Sequence, residues 1–207
     1  MTKELDTMTG YIIKDAIEYR QLNILDQFLE GHNGFIAGGC FKNIFNNEKV
    51  KDVDVFFRNK RDYENAVDYY TNKEDNIIRK SYSNANVCAF YHRPSGIRIE
   101  LVKSVFGEPE DVLDNFDFTI TKVARYISDN EHKVALHPEF FEHLHLNKLV
   151  IDDKLIFPVS TFERMIRYIA YGYLPCRETK VKLLTTINDL REINNNELSK
   201  SLYMGID

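Results

Sequence analysis

The stretch Ile36-Ala37-Gly38-Gly39-Cys40-Phe41-Lys42-Asn43-Ile44-Phe45-Asn46-Asn47-Glu48-Lys49-Val50-Lys51-Asp52-Val53-Asp54-Val55-Phe56-Phe57 decides how this chain is read. Its first part predicts a short strand, a glycine turn and a short helix from Cys40 to Phe45. Its second part predicts a strand from Val53 to Phe57. Side chains alternate across a strand, so Asp52 and Asp54 share one face while Val53, Val55 and Phe57 share the other. The apolar face seals a core and leaves two carboxylates side by side. Ionising both costs energy unless a cation neutralises them. Gly38 and Gly39 can turn the chain through positive φ and bare their N–H groups to a phosphate. Lys42 and Asn43 add a cation and an amide in the first helical turn. The order glycine turn, helix, Asp-x-Asp suits a nucleotide triphosphate and its magnesium ions, because magnesium takes one or two protein carboxylates and completes its shell with phosphate oxygens. Taken singly, a Gly-Gly corner or two surface aspartates would carry no such meaning.

A hairpin supports the pair. Val87–His92 and Ile97–Lys103 read as strands joined at Pro94-Ser95-Gly96. Ile97, Ile99 and Leu101 alternate with Arg98 and Glu100, so Glu100 points away from the apolar face. It is expected either as a third cation ligand, as a base near an attacking hydroxyl, or as one half of a surface pair with Arg98.

Gly38-Gly39-Cys40-Phe41-Lys42-Asn43 followed by Lys51-Asp52-Val53-Asp54 resembles the signature of the polymerase-β-like nucleotidyltransferase superfamily. It is most similar to the head of class II CCA-adding enzymes and bacterial poly(A) polymerases. Asp117-Phe118-Thr119-Ile120-Thr121-Lys122-Val123-Ala124 resembles that family's Asp-Phe-Thr motif, and Thr161-Phe162-Glu163-Arg164-Met165-Ile166-Arg167-Tyr168 with Gly172-Tyr173 resembles its Arg-x-x-Arg helix. The likeness runs from about Phe35 to Tyr173. It implies an α+β fold, a nucleotidyltransferase-type mixed sheet flanked by helices with a small C-terminal helical region. It implies transfer of NMP from an NTP such as ATP to an acceptor hydroxyl, with Mg2+ (Mn2+ as the alternative) on Asp52, Asp54 and, from the wider superfamily, Glu100. Nucleotide contacts fall to Gly38, Gly39, Lys42, Asn43, Asp117, Arg164 and Arg167. The acceptor implied first is an RNA 3′ end, especially tRNA. The alternatives are a protein or small-molecule acceptor, or a non-catalytic protein that binds a nucleotide or a protein partner in the manner of an immunity factor or antitoxin. Lys42-Asn43 stands where the family has Arg-Asp, and Asn115-Phe116 where it has an arginine pair. The base-reading Glu-Asp-x-x-Arg has no counterpart, so base choice does not carry over. Compact phage, defence and toxin nucleotidyltransferases match the length at least as well as a housekeeping enzyme.

The 207 residues, 43% hydrophobic and 29% charged, are ordinary globular composition. A catalytic domain is expected over 1–153 and a helical region over 154–207. No apolar run is long enough for a bilayer, and the start does not resemble a secretory signal. Cys40, Cys88 and Cys176 are odd in number and scattered, which fits free thiols in a reducing cytoplasm, the host's if the source is a phage. His143 and His145 are expected as structural or surface histidines. The net charge of −5 argues against broad nucleic-acid binding. Seven Lys and Arg face three acids between Lys154 and Arg191, +4 against −9 for the remainder, pointing to a local anionic partner. Further helices are expected over 8–30, after an Asn59 cap, and from a Ser160/Glu163 capping box. The last of these carries an apolar stripe of Phe162, Met165, Ile166 and Ile169.

Overall fold

The computed structural model describes residues 10–73, 77–152 and 154–190. They condense into two compact units. The first holds the described residues up to Asp114 together with Thr121–Pro138, and the second holds Asn115–Ile120 with those from Glu139 onward. Asp153, where the expected boundary falls, lies outside the described residues.

The first unit is built on one eight-stranded mixed sheet. In chain order its elements are β1 (Ile12–Asp15), a 3₁₀ segment (Ala16–Phe28), β2 (Phe35–Ala37), α1 (Cys40–Phe45), β3 (Asp52–Phe57), α2 (Lys60–Asn72), β4 (Ile78–Ser83), β5 (Val87–His92), β6 (Ile97–Phe106), α3 (Pro109–Leu113), β7 (Val123–Ser128) and β8 (Glu131–Leu136). The strand order is β1-β8-β7-β2-β3-β6-β5-β4. Only β3 and β6 run parallel; α2, β4 and β5 lie between them in the chain. Val53, Val55 and Phe57 are fully buried, as their alternation predicts. The side chain of Asn59 accepts the Asp62 N–H at 3.0 Å and caps α2.

The expected helix over 8–30 is a correction; its first two residues lie outside the described ones. Ile12 and Ile13 instead pair with Leu136 and Ala135 at the sheet edge. The rest is a 3₁₀ coil broken at Tyr19. Its buried side chains Leu22, Leu25 and Phe28 fall three apart, which aligns them at three residues per turn. Ile17 and Ile24, off that three-residue spacing, are 72% and 48% exposed. Asp26 ties this coil to the sheet by accepting from buried Arg125 Nε at 2.7 Å.

The second unit contains α4 (Phe140–His145), β9 (Lys148–Leu149), α5 (Pro158–Ala170), β10 (Leu174–Pro175) and α6 (Arg177–Asn188), with β9 and β10 parallel. α5 opens on Pro158, whose missing N–H costs nothing in a first turn. Ser160 therefore lies inside the helix, and the expected capping box does not form. Of the expected stripe only Met165 is buried; Phe162, Ile166 and Ile169 are exposed. His143 is buried and shares a 2.8 Å hydrogen bond with Thr119 Oγ1, a structural role. Among the described residues no helix is long and apolar enough to cross a membrane.

Candidate active site

Gly38 and Gly39 behave differently. Gly38 has φ +104, a conformation that glycine adopts at little cost, and its N–H donates to the Val123 carbonyl at 3.1 Å. Gly39 has ordinary right-handed angles and starts α1. The turn thus holds α1 against the sheet, and the Gly38 N–H is already engaged. Lys42 is buried in α1, its amine donates to the Asn43 side-chain oxygen, and Asn43 Nδ2 donates to the Lys49 carbonyl. Burial pulls the Lys42 pKa down, against the opposing fields of Glu48 and Asp52. Lys42 thus lies within the field of Asp52, and Lys42 and Asn43 are each part of a local network.

Asp52 and Asp54 lie half-buried on one face of β3, and the parallel register sets Arg98 opposite Asp52 and Glu100 opposite Asp54. Burial, then the charges of Glu100 and Asp52, push Asp54 up to about 8, with Arg98 pulling the other way. Cys40, buried beside these carboxylates, has its thiol raised by burial and by the fields of Asp54 and Asp52, so it stays a neutral packing group. Glu100 is buried, not at the surface; its Oε1 accepts from Tyr82 Oη at 2.7 Å and from Arg98 Nη1 at 3.4 Å. Sequence reading missed Tyr82, because its reach depends on a bulge in β4 that no residue pattern announces.

The donor set suits a hard divalent cation. Asp54 is an acid whose charge is opposed by its surroundings, and two oxygen donors beside a phosphate-bearing ligand match how magnesium is usually held. Among the described residues no three His, Cys, Asp or Glu side chains group closely enough to form a metal cage. The oxygen donors that fit such a cation are the carboxylates of Asp52 and Asp54, on one face of β3.

In the second unit Asp117 is buried, and Arg164 Nη1 reaches its Oδ2 at 2.9 Å; Arg164 Nε also donates to the Ser160 carbonyl. The two residues drawn from separate motifs thus form one ion pair. Arg167 is half-buried one turn on.

Residues 11–147 match the family described as Gabija anti-defense 2 family protein. The chain belongs to the Gabija anti-defense 2 family. Gabija anti-defense 2 of Bacillus phage SPbetaL7 is 24% identical over 183 residues, covering 88% of this chain and 44% of that protein. The chain thus spans less than half the length of this family relative. Among solved structures, a CCA-adding enzyme complexed with ATP aligns with TM-score 0.65 and 16% identity over 91% of this chain and 50% of its own. The complex of a CCA-adding enzyme with CTP gives 0.64 and 14%, covering 91% and 49%. The Thermotoga maritima CCA-adding enzyme complexed with tRNA gives 0.59 and 17%, covering 86% and 46%. At such identities the likeness shows the fold: this Gabija anti-defense 2 family chain has the mixed-sheet fold of CCA-adding nucleotidyltransferases.

Proposed function

We propose that the chain is a divalent-cation-dependent nucleotidyltransferase that moves NMP from an NTP to an acceptor hydroxyl. The observation that carries this reading is the paired Asp52 and Asp54 on β3, next to the Gly38 turn and α1. Asp54, half-buried and with its charge opposed by its surroundings, is poorly suited to a merely structural role. Asp52 and Asp54 would hold Mg2+ or Mn2+. When bound, the cation would acidify the acceptor hydroxyl and offset charge on the triphosphate and departing pyrophosphate. Lys42 and Asn43 brace the floor of the site from α1. In the second unit, the resemblance gives Asp117, Arg164 and Arg167 a nucleotide-positioning role. Phosphoryl transfer depends mainly on positioning and charge stabilisation, so no protein nucleophile is needed.

The acceptor placed first is an RNA 3′ end, by likeness to enzymes solved with tRNA. The family's anti-defence description supports a second reading, a protein of the defence machinery either as acceptor or as a partner bound without chemistry. One experiment separates them. Purified protein is incubated with magnesium, each α-labelled NTP, total RNA and cellular protein, with Asp54→Ala in parallel. Nuclease-sensitive label that vanishes with Asp54→Ala supports the RNA acceptor, and protease-sensitive label supports the protein acceptor. No label with any NTP from folded protein overturns transfer in favour of partner binding.

A further inference from the structure

We propose that Arg98 is the phosphate-binding arm of the carboxylate site, and that Glu100 and Tyr82 position it without themselves holding the cation. This rests on the nucleotidyltransferase reading and assigns roles within it.

The register places these groups. Tyr82 on β4, Ala89 on β5 and Glu100 on β6 lie in one row across three neighbouring strands. The β4–β5 register slips between Lys80 and Tyr82, so Ser81 is an extra residue. Without that bulge Tyr82 would point to the opposite face, because a one-residue slip reverses every side chain. The bulge turns Tyr82 onto the face that carries Asp52, Asp54, Arg98 and Glu100. Between Tyr82 and Glu100 stands only the methyl group of Ala89, and the phenol reaches across it to Glu100 Oε1 at 2.7 Å. Bulges that re-aim a single side chain are enriched beside functional sites.

The same oxygen takes Arg98 Nη1 at 3.4 Å. The two side chains differ in access: Glu100 is 7% exposed and Arg98 38%. Glu100 is thus the buried anchor and Arg98 the part that meets solvent. A guanidinium presents a planar fork of five N–H donors; Glu100 and Tyr82 engage part of it, and the rest of the fork is left for a ligand. Arg98 sits directly across from Asp52, and its backbone N–H is fastened to the Lys51 carbonyl at 3.0 Å. A planar fork held beside a two-carboxylate cation site matches phosphate oxygens bridging cation and arginine. Glu100, already accepting from two donors, does not form a three-group cage with the aspartates.

The test uses probes that do not depend on the base. Mn2+ binding alone is followed by electron paramagnetic resonance, and inorganic tripolyphosphate binding in EDTA by calorimetry, on wild type, Arg98→Met, Arg98→Lys, Glu100→Gln, Tyr82→Phe and Asp54→Ala, each shown to be folded by circular dichroism. The proposal expects Arg98→Met to weaken tripolyphosphate about tenfold or more while leaving Mn2+ affinity within about threefold. Arg98→Lys keeps the charge without the fork and should fall between. Glu100→Gln and Tyr82→Phe should weaken tripolyphosphate about threefold and spare Mn2+, and Asp54→Ala should abolish Mn2+ binding. A tenfold loss of Mn2+ affinity in Glu100→Gln makes Glu100 a ligand and overturns the proposal, leaving the nucleotidyltransferase reading in place. Unchanged tripolyphosphate affinity in Arg98→Met overturns it equally. A wild type that binds no Mn2+ brings down the underlying reading, and the proposal with it.

Discussion

Asp54 and Asp117 are acids handled in opposite ways. Asp54, in the first unit, lies among Asp52 and Glu100, and burial with these like charges lifts it to about 8. Asp117, in the second unit, is buried deeper but carries its own counter-ion, Arg164, at 2.9 Å. One carboxylate is only partly offset, by Arg98, and suits a cation from outside; the other is paired with a counter-ion within the chain. A strongly perturbed acid marks a candidate functional group, whereas a closed ion pair is as readily explained by folding. The contrast makes the Asp52–Asp54 face the stronger candidate for chemistry.

The sharpest way to break this comparison is to remove both charges in turn. Asp54→Ala should lower nucleotidyl transfer by about a thousandfold or more, since it removes the cation's seat. The label assay reads this directly, and circular dichroism should show an unchanged fold. A fully active Asp54→Ala protein would make the first region as structural as the second.

Next in size, Arg164→Ala removes the 2.9 Å counter-ion of buried Asp117 and should cost about 2–3 kcal/mol in urea denaturation. The double variant Arg164→Ala/Asp117→Asn also removes the carboxylate charge and should recover much of that loss. If Arg164→Ala is no less stable than wild type, the second region is not self-compensated.

The pH dependence carries the comparison further. The ordinary value of 3.8 for Asp54 is raised to about 8, so between these limits the folded protein without cation holds a proton that the unfolded chain releases. Its stability should therefore fall as pH rises from about 4 to 8, and level off above. Asp54→Asn should flatten this slope and be more stable than wild type at pH 8 in EDTA, by about 1–2 kcal/mol, a figure discounted because the side chain keeps contact with solvent. Magnesium should restore wild type and leave the variant unmoved. Thermal melts at pH 5 and 8, with and without magnesium, check both statements.

The smallest effect compares thiols. Cys40 and Cys88 are buried in the first unit, and Cys176 is half-exposed in the second. With a disulfide reagent on native protein at pH 8, one thiol should react well ahead of the other two, and Cys176→Ser should remove that phase.

Much of the fold was legible because it rests on local rules. Asn59 caps α2, and the Pro94-Ser95-Gly96 hairpin lies where turn chemistry puts it. Two of the misreadings share one cause. Ile12 and Ile13 pair with β8, more than a hundred residues away in the chain, and that pairing converts an apparent helix into a strand and a 3₁₀ coil. The stripe on α5 fails likewise, because an apolar face shows where burial could occur and tertiary contacts choose which part is used.

For the candidate site the division is similar. The sequence by itself determined that Asp52 and Asp54 share a face and that a glycine turn precedes them, because strand alternation and glycine's backbone freedom are properties of neighbouring residues. Only the tertiary structure decided that Arg98 and Glu100 lie across from those aspartates, that Tyr82 reaches Glu100 over Ala89, and that Asp117 closes on Arg164. These depend on strand register, on one bulge and on contacts between segments far apart in the chain. For Asp54, burial comes first, and the Glu100 charge set across from it by the register adds to that of its sequence neighbour Asp52.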